Sequence, residues 1–344
     1  MSLRNTTSRR RIGGGAALAA LCVAAIVLAI VALTDGGAQP TATAASPSGA
    51  PGDGFAGVVD AAAPSVVQIR SSRGLGSGIV YDGSGHVVTN AHVVAGSTRF
   101  EVTVADGSTH AATLLGVFAQ GDLAVVEVSG ASLRPARFAD SSKVRTGEYA
   151  LAIGNPLGLR SSVTQGIVSA TSRTVSEGGG VALPSVIQTS AAINPGNSGG
   201  ALVDASGAVI GVPTLAALDP ELGGSAAPGI GFAISSNTVR SIAPQLIAHG
   251  RVVASGRAGL GVELRTLPGG GALVAAVTSG GPAADAGIAP GDVLVSIAGS
   301  PASTTDDIAV ALAQQKPGDT VPVQVRGPNG TRTVQVKLAQ APAA

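Results

Sequence analysis

Asn194-Pro195-Gly196-Asn197-Ser198-Gly199-Gly200 is a turn built around a single hydroxyl, and its glycines admit unusual backbone angles and close approach of a substrate. Directly after it, Ala201-Leu202-Val203 and Val209 to Val212 read as strand, Asp-Ala-Ser-Gly turn, strand. For such a hydroxyl to attack a carbonyl it needs an imidazole base, an orienting carboxylate and converging backbone N–H donors. The chain has four histidines: His86, His92, His110 and His249. His92 stands where an apolar strand ends, in Val88-Thr89-Asn90-Ala91-His92-Val93-Val94, and Asp122 opens the strand-like Gly121-Asp122-Leu123-Ala124-Val125-Val126. Taken singly, a strand-end histidine, an Asp heading a strand and a Gly-rich turn are ordinary structural features. Together, in the order His92, Asp122, Ser198, they form a candidate set for acyl transfer.

Outward from these residues, the region from about Phe55 to Gly250 is a series of short β-rich runs separated by turn residues. Ser65 to Arg70, Gly78 to Tyr81, His86 to Thr89 and Phe100 to Val104 are examples, with Asp82-Gly83 and Asp106-Gly107 as hairpin-type turns. Many short strands predict an antiparallel barrel or sandwich. Only Ser235 to His249 reads as a helix, with Val239, Ile242 and Leu246 on one face, Gly250 behind it and Pro244 inside it. Gly74-Leu75-Gly76-Ser77-Gly78 lacks the following helix of a phosphate loop and reads as a tight strand connection.

These segments resemble the HtrA/DegP family of chymotrypsin-like serine proteases. TNAHVV-, DLAVV-, GNPLG- and INPGNSGG-like motifs recur there in the order found here at Thr89–Val94, Asp122–Val126, Gly154–Gly158 and Ile193–Gly200, with Gly229–Ile234 closing the domain. The resemblance implies a mainly β chain with two six-stranded antiparallel barrels over residues 55–250. His92 and Asp122 would come from the first barrel and Ser198 from the second, with Gly196 and Ser198 as oxyanion-hole N–H donors. It also implies a homotrimer, unfolded or misfolded proteins as substrates, and a reaction needing no metal or cofactor. Gly196-Asn197-Ser198-Gly199-Gly200 satisfies the nucleophile-elbow pattern of α/β-hydrolases too, with Asp219 and His249 in that fold's chain order. That elbow, however, requires a helix where this chain reads strand.

The sequence departs from the family at Ser190, where relatives usually have Asp, at Ala201, where they have Pro, and at Val212-Pro213-Thr214, where Ile-Asn-Thr lies beside the substrate. By motif match Ala192 falls at the base of the substrate pocket, with Ile193, Val212 and Thr214 also lining it. An apolar base offers no counter-charge to Lys or Arg, so cleavage is expected after small or medium aliphatic residues.

Residues 258–344 resemble a PDZ domain, most strongly in Ala286 to Gly299, a turn feeding an apolar strand. A capped helix follows at about Thr305 to Gln315, then a hairpin over Asn329-Gly330. Gly259-Leu260-Gly261-Val262 matches the family's carboxylate-binding segment, so Leu260, Gly261 and Val262, with Ile308 on the helix, are the implied binding residues for C-terminal peptides.

At the other end, Arg4, Arg9, Arg10 and Arg11 precede an uncharged run from Ile12 to Leu33, about 33 Å as a helix and enough to span a bilayer. The arginines predict a cytoplasmic N-terminus at 1–11, a transmembrane helix at 12–33, a flexible stalk at 34–54 and an extracytoplasmic remainder. Ala42-Thr43-Ala44 offers the rival of signal cleavage. A net charge of +1 with 12% charged and 2% aromatic residues leaves neither field nor stacking platform for nucleic acid. Cys22 is the single cysteine, so no intramolecular disulfide can form. The reading is a membrane-anchored serine endopeptidase under PDZ control. A chaperone-like or peptide-binding scaffold with a largely inactive protease domain is the alternative.

Overall fold

The computed structural model describes residues 54–341 apart from 73, 156–161, 179–180, 195 and 220–224. The expected transmembrane helix at 12–33 and the flanking segments up to residue 53 lie outside the described residues. Among the described residues no helix is long and apolar enough to cross a membrane.

After helix α1 (Ala56–Ala62) come β1 (Val66–Arg70), β2 (Leu75–Val80), β3 (His86–Thr89), the short helix α2 (Ala91–Val94), β4 (Arg99–Thr103), β5 (Thr109–Phe118) and β6 (Leu123–Val128). These strands close into a barrel in the order β1-β2-β3-β6-β5-β4. The next six are β7 (Tyr149–Gly154), β8 (Ser162–Gly178), β9 (Val181–Thr189), β10 (Ala201–Val203), β11 (Val209–Asp219) and β12 (Ser225–Ser235). They close in the order β7-β8-β9-β12-β11-β10, the same path repeated, and every pairing in both barrels is antiparallel.

Strand alternation explains how the barrels join. Along β6, Ala124, Val126 and Val128 enter the core of the first barrel, while Leu123 and Val125 turn to a second apolar layer shared with the other barrel. Ile153, Val203, Val212 and Ile234 meet them there. A strand buried on both faces loses its polar alternation, which is why Leu123 to Val126 read as an unbroken apolar run before the exposed Glu127. Helix α3 (Ser236–His249) lays Val239, Ile242 and Leu246 on the same layer. Pro244 is accommodated on its exposed side, and Gly250, at φ 68°, ends the helix.

The C-terminal unit contains β13 (Ala258–Gly259), β14 (Val262–Thr266), β15 (Ala272–Val277), α4 (Pro282–Asp285), β16 (Val293–Ile297), β17 (Ser300–Pro301), α5 (Thr305–Ala313), β18 (Thr320–Gly327), β19 (Gly330–Lys337) and β20 (Ala339–Gln340). The sheet runs β14-β15-β16-β18-β19, leaving β14 on an edge. Thr304 and Asp307 form a reciprocal capping box on α5. In the Ala289 to Asp292 turn, the Asp292 carboxylate accepts from Ala289 N–H at 3.1 Å and from Arg332 at 2.7 Å. The Arg332 guanidinium holds this carboxyl below its ordinary range despite burial.

Candidate active site

Asp122 follows a 3₁₀ turn (Ala119–Gly121) and adopts a left-handed backbone, φ 46° and ψ 42°. Such a conformation is strained for a residue with a Cβ and persists only where the surroundings over-determine it. They do so here. The buried carboxylate accepts from the His92 N–H at 3.1 Å and from His92 Nδ1 at 3.0–3.1 Å, and also from the Thr214 hydroxyl. The Asn90 side-chain amide donates to the Asp122 carbonyl at 3.0 Å. A carboxylate can only accept, so Nδ1 carries the proton and Nε2 keeps its lone pair. The His92 ring is half-exposed above a buried anion, 49% against 5%.

A second histidine–carboxylate pair, His86 with Asp82 at 2.7 Å, closes the turn between β2 and β3. Burial raises the Asp82 carboxyl, but bonds from His86 and the Ser84 N–H outweigh it and hold the group below its ordinary range. This pair belongs to a hairpin turn, and only His92 is joined to the nucleophile loop.

That joining is visible at Gly199. Its φ is 78°, and a Cβ there would lie 2.3 Å from the Ser77 carbonyl oxygen and 2.4 Å from Thr89 Oγ1. The residue after Ser198 therefore presses on the strand end that leads into His92. Asn197 braces the loop from inside, its side chain donating to the Ala192 carbonyl at 3.1 Å and accepting from Asn194 N–H at 2.9 Å. Gly196 sits at φ 109°. Among the described residues, no backbone acceptor engages the N–H of Gly196 or of Ser198.

The four residues expected to line the substrate pocket are differently placed. Val212 is fully buried in the layer between the barrels and cannot line a pocket. Thr214 is also buried, with its hydroxyl committed to Asp122. Ala192 is exposed. Ile193 is the buried neighbour, packed in the second barrel's core and against Gly231 of β12. Two of the departures from the family, Ser190 and Pro213, find local roles. Ser190 Oγ accepts from the Ile167 N–H at 3.0 Å, and Pro213 stands at a register shift of β11, where a missing N–H is tolerated.

The family model for a trypsin-like peptidase domain matches residues 76–212, and that for a PDZ domain matches residues 258–338. The chain is 36% identical over 367 residues to the serine protease PepD of Mycobacterium tuberculosis, covering 93% of this chain and 78% of that one. Against the Do-like serine protease HtrA of Lactococcus lactis subsp. lactis it is 39% identical over 290 residues, 77% and 70% of the two chains. The chain belongs to the HtrA family of serine proteases. It is a serine endopeptidase with a trypsin-like domain and a C-terminal PDZ domain. A putative serine protease, HhoB of Synechocystis sp., matches at 38% identity over 74% of this chain, which spans 64% of that relative's length. Among solved structures, the HtrA-type protease AlgW with a decapeptide superposes with a TM-score of 0.58 at 32% identity, covering 84% of this chain and 99% of that one. The serine endoprotease of Yersinia pestis gives 0.56 at 33%, covering 83% and 97%.

In this HtrA-family chain Leu260, Gly261, Val262 and Ile308 all line one groove of about 540 Å³, bounded also by Leu312. Leu260 and Ile308 are buried and double as PDZ core. Gly261, at φ 72°, turns the chain into edge strand β14. The protease domain supplies the far wall with Gln120 and Val181. The Arg257 guanidinium, at the entrance to the PDZ domain, donates to the carbonyls of Gln120 and Ala182.

Proposed function

We propose that this endopeptidase cleaves unfolded or misfolded proteins through an acyl-enzyme on Ser198. The Ser198 hydroxyl oxygen attacks the scissile carbonyl carbon while His92 Nε2 takes its proton. The N–H groups of Gly196 and Ser198 receive the oxyanion. Nε2 returns the proton to the leaving amine as the C–N bond breaks. A water molecule then attacks the acyl carbon, its proton passing through His92, to release the acid and restore the hydroxyl. Asp122 fixes the tautomer and offsets the imidazolium charge. The observation that carries the reading is the His92–Asp122 pair, whose strand end abuts the glycine at 199 beside Ser198.

The PDZ groove is the proposed seat of substrate or regulatory C-terminal peptides. An edge strand beside an apolar, backbone-lined groove suits strand addition. A transmembrane anchor at 12–33, with an extracytoplasmic catalytic domain, is proposed from the arginine cluster and apolar run. A homotrimer is proposed from the family. Exposed Tyr149 and Ile167, paired across β7 and β8 with Phe55 edge-on to Tyr149, offer an apolar patch in its support. Hydrolysis of unfolded casein, with and without added C-terminal peptides, tests the reading. Cleavage that disappears in Ser198→Ala is expected, and no cleavage by the wild type under either condition favours the scaffold alternative.

A further inference from the structure

Strand β2 carries Gly76, Ser77 and Gly78, and the pleat sends them alternately to opposite faces. Gly76 and Gly78 lie against Val93, Val87 and Ile69 of the first barrel, which leaves Ser77 facing the second. Ser77 is fully buried, and each of its polar groups meets the loops around the nucleophile or the strand leading to His92. Its N–H donates to the Ser198 carbonyl at 3.0 Å, and its own carbonyl accepts from the Thr89 hydroxyl at 2.7 Å. The side-chain oxygen accepts from the Asn155 N–H at 2.8 Å and lies 2.5 Å from the Gly196 carbonyl oxygen. Because Asn155 N–H can only donate and the Gly196 carbonyl can only accept, the hydroxyl proton is committed to Gly196.

We propose that Ser77 is a positioning residue for the oxyanion site, its hydroxyl and N–H pinning the carbonyls of the two residues whose N–H groups stabilise the developing charge. The inference rests on the reading of Gly196 and Ser198 as oxyanion donors. A glycine at φ 109° has no Cβ to restrict it, so its orientation depends on bonds from outside the loop. Ser77 supplies that restraint from the opposite barrel, 119 residues away in sequence. Loss of the hydroxyl leaves the part-buried Gly196 carbonyl and the buried Asn155 N–H without this partner, and the loop is free to reorient its donors. The ground-state complex depends little on these donors, and the transition state depends on them strongly.

The test compares wild type, Ser77→Ala, Ser77→Cys and Ser198→Ala on a fluorogenic peptide with an aliphatic residue before the scissile bond, together with thermal unfolding. Ser77→Ala is expected to lower kcat about 10–100-fold, somewhat less than outright loss of an oxyanion donor, with KM changed less than about twofold. Affinity for a peptide boronate, which presents a tetrahedral oxyanion, should fall by the same factor as kcat. Ser77→Cys keeps the volume but is a weak hydrogen-bond donor, so it should track Ser77→Ala. A wild-type kcat in either folded variant overturns the proposal, as does a rise in KM at unchanged kcat. Recovery of activity in Ser77→Cys alone assigns the effect to packing and also overturns it. If Ser77→Ala does not fold, Ser77→Cys carries the test. Failure of both to fold makes Ser77 a framework residue and refutes the assignment. A wild type no more active than Ser198→Ala refutes instead the underlying reading of the nucleophile.

Discussion

The first barrel contributes a pair of side chains to the site, whereas the second contributes a loop whose backbone conformation matters as much as the Ser198 hydroxyl. In the first, one buried carboxylate gathers the His92 ring, the His92 N–H and the Thr214 hydroxyl, and this network keeps Asp122 in a left-handed conformation. In the second, the loop around Ser198 depends on two glycines at positive φ and on carbonyls held by Asn197, Ser77 and their neighbours. The strand order is the same in both, so topology does not produce the difference. The division follows from the chemistry. A base must be kept in one tautomer by a fixed partner, and an oxyanion needs N–H groups with nothing else to bind.

Substitutions on the two sides should therefore fail differently. Asp122→Asn should leave the fold intact and lower kcat by about 10⁴-fold, because an amide can present N–H to Nδ1 and favour the wrong tautomer. Steady-state kinetics with circular dichroism would check this, and a loss under tenfold would break the side-chain half of the comparison. Gly199→Ala should lower kcat by roughly 100-fold and also reduce the thermal midpoint, since the new methyl meets the Ser77 carbonyl at a strained φ costing about 1–3 kcal/mol. Parallel activity and melting curves distinguish it from Asp122→Asn, which should move activity alone. Thr214→Val, isosteric and lacking the hydroxyl, should cost about tenfold in kcat through one lost bond to a charged group. An unchanged kcat would remove Thr214 from the network.

The PDZ domain offers a contrast to both barrels, because its Arg332–Asp292 ion pair is structural. Arg332→Ala should destabilise that domain by about 1–2 kcal/mol, the lower part of the range for bonds to charged groups, since the arginine is 42% exposed and screened. Hydrolysis of a short peptide should not change. The Asp292 carboxyl is held low in the folded state, so its stabilisation is complete above the unfolded carboxyl value near about pH 4. It is lost as pH falls through the lower folded value. The gap in PDZ melting temperature between wild type and Arg332→Ala should thus narrow only below about pH 4, and narrowing between pH 5 and 8 would contradict the assignment.

The His92–Asp122 pair that the fold brings together, and the Ser198 turn proposed beside it, can be picked out in the sequence because each residue stands in a local pattern: a strand end, a strand head and a glycine turn. The barrels were legible from alternating runs, and α3 from its apolar face and terminal glycine. Thr214, Asn90, Asn197 and Ser77 were not. Their partners lie elsewhere in the fold, Thr214 being 92 residues from Asp122, and a hydroxyl or amide in a strand or turn has no periodic signature. Val212 misled for a different reason. It was placed by a three-residue motif match, which does not say which of consecutive side chains on a strand points outward, and Val212 points into the layer between the barrels. The run Gly74 to Gly78 reads as a connection because glycine marks turns. In the fold, Gly76 and Gly78 are small because they meet Val93, Val87 and Ile69 across the barrel.

As proposed, Ser198 is a nucleophile activated by a base from the other barrel. Covalent labelling with a fluorophosphonate, read by intact mass and peptide mapping, addresses it directly. A single adduct on Ser198 is expected in the wild type, none in Ser198→Ala, and a labelling rate lowered by several orders of magnitude in His92→Ala with the fold retained. An adduct on another residue, or labelling of His92→Ala at the wild-type rate, would contradict it.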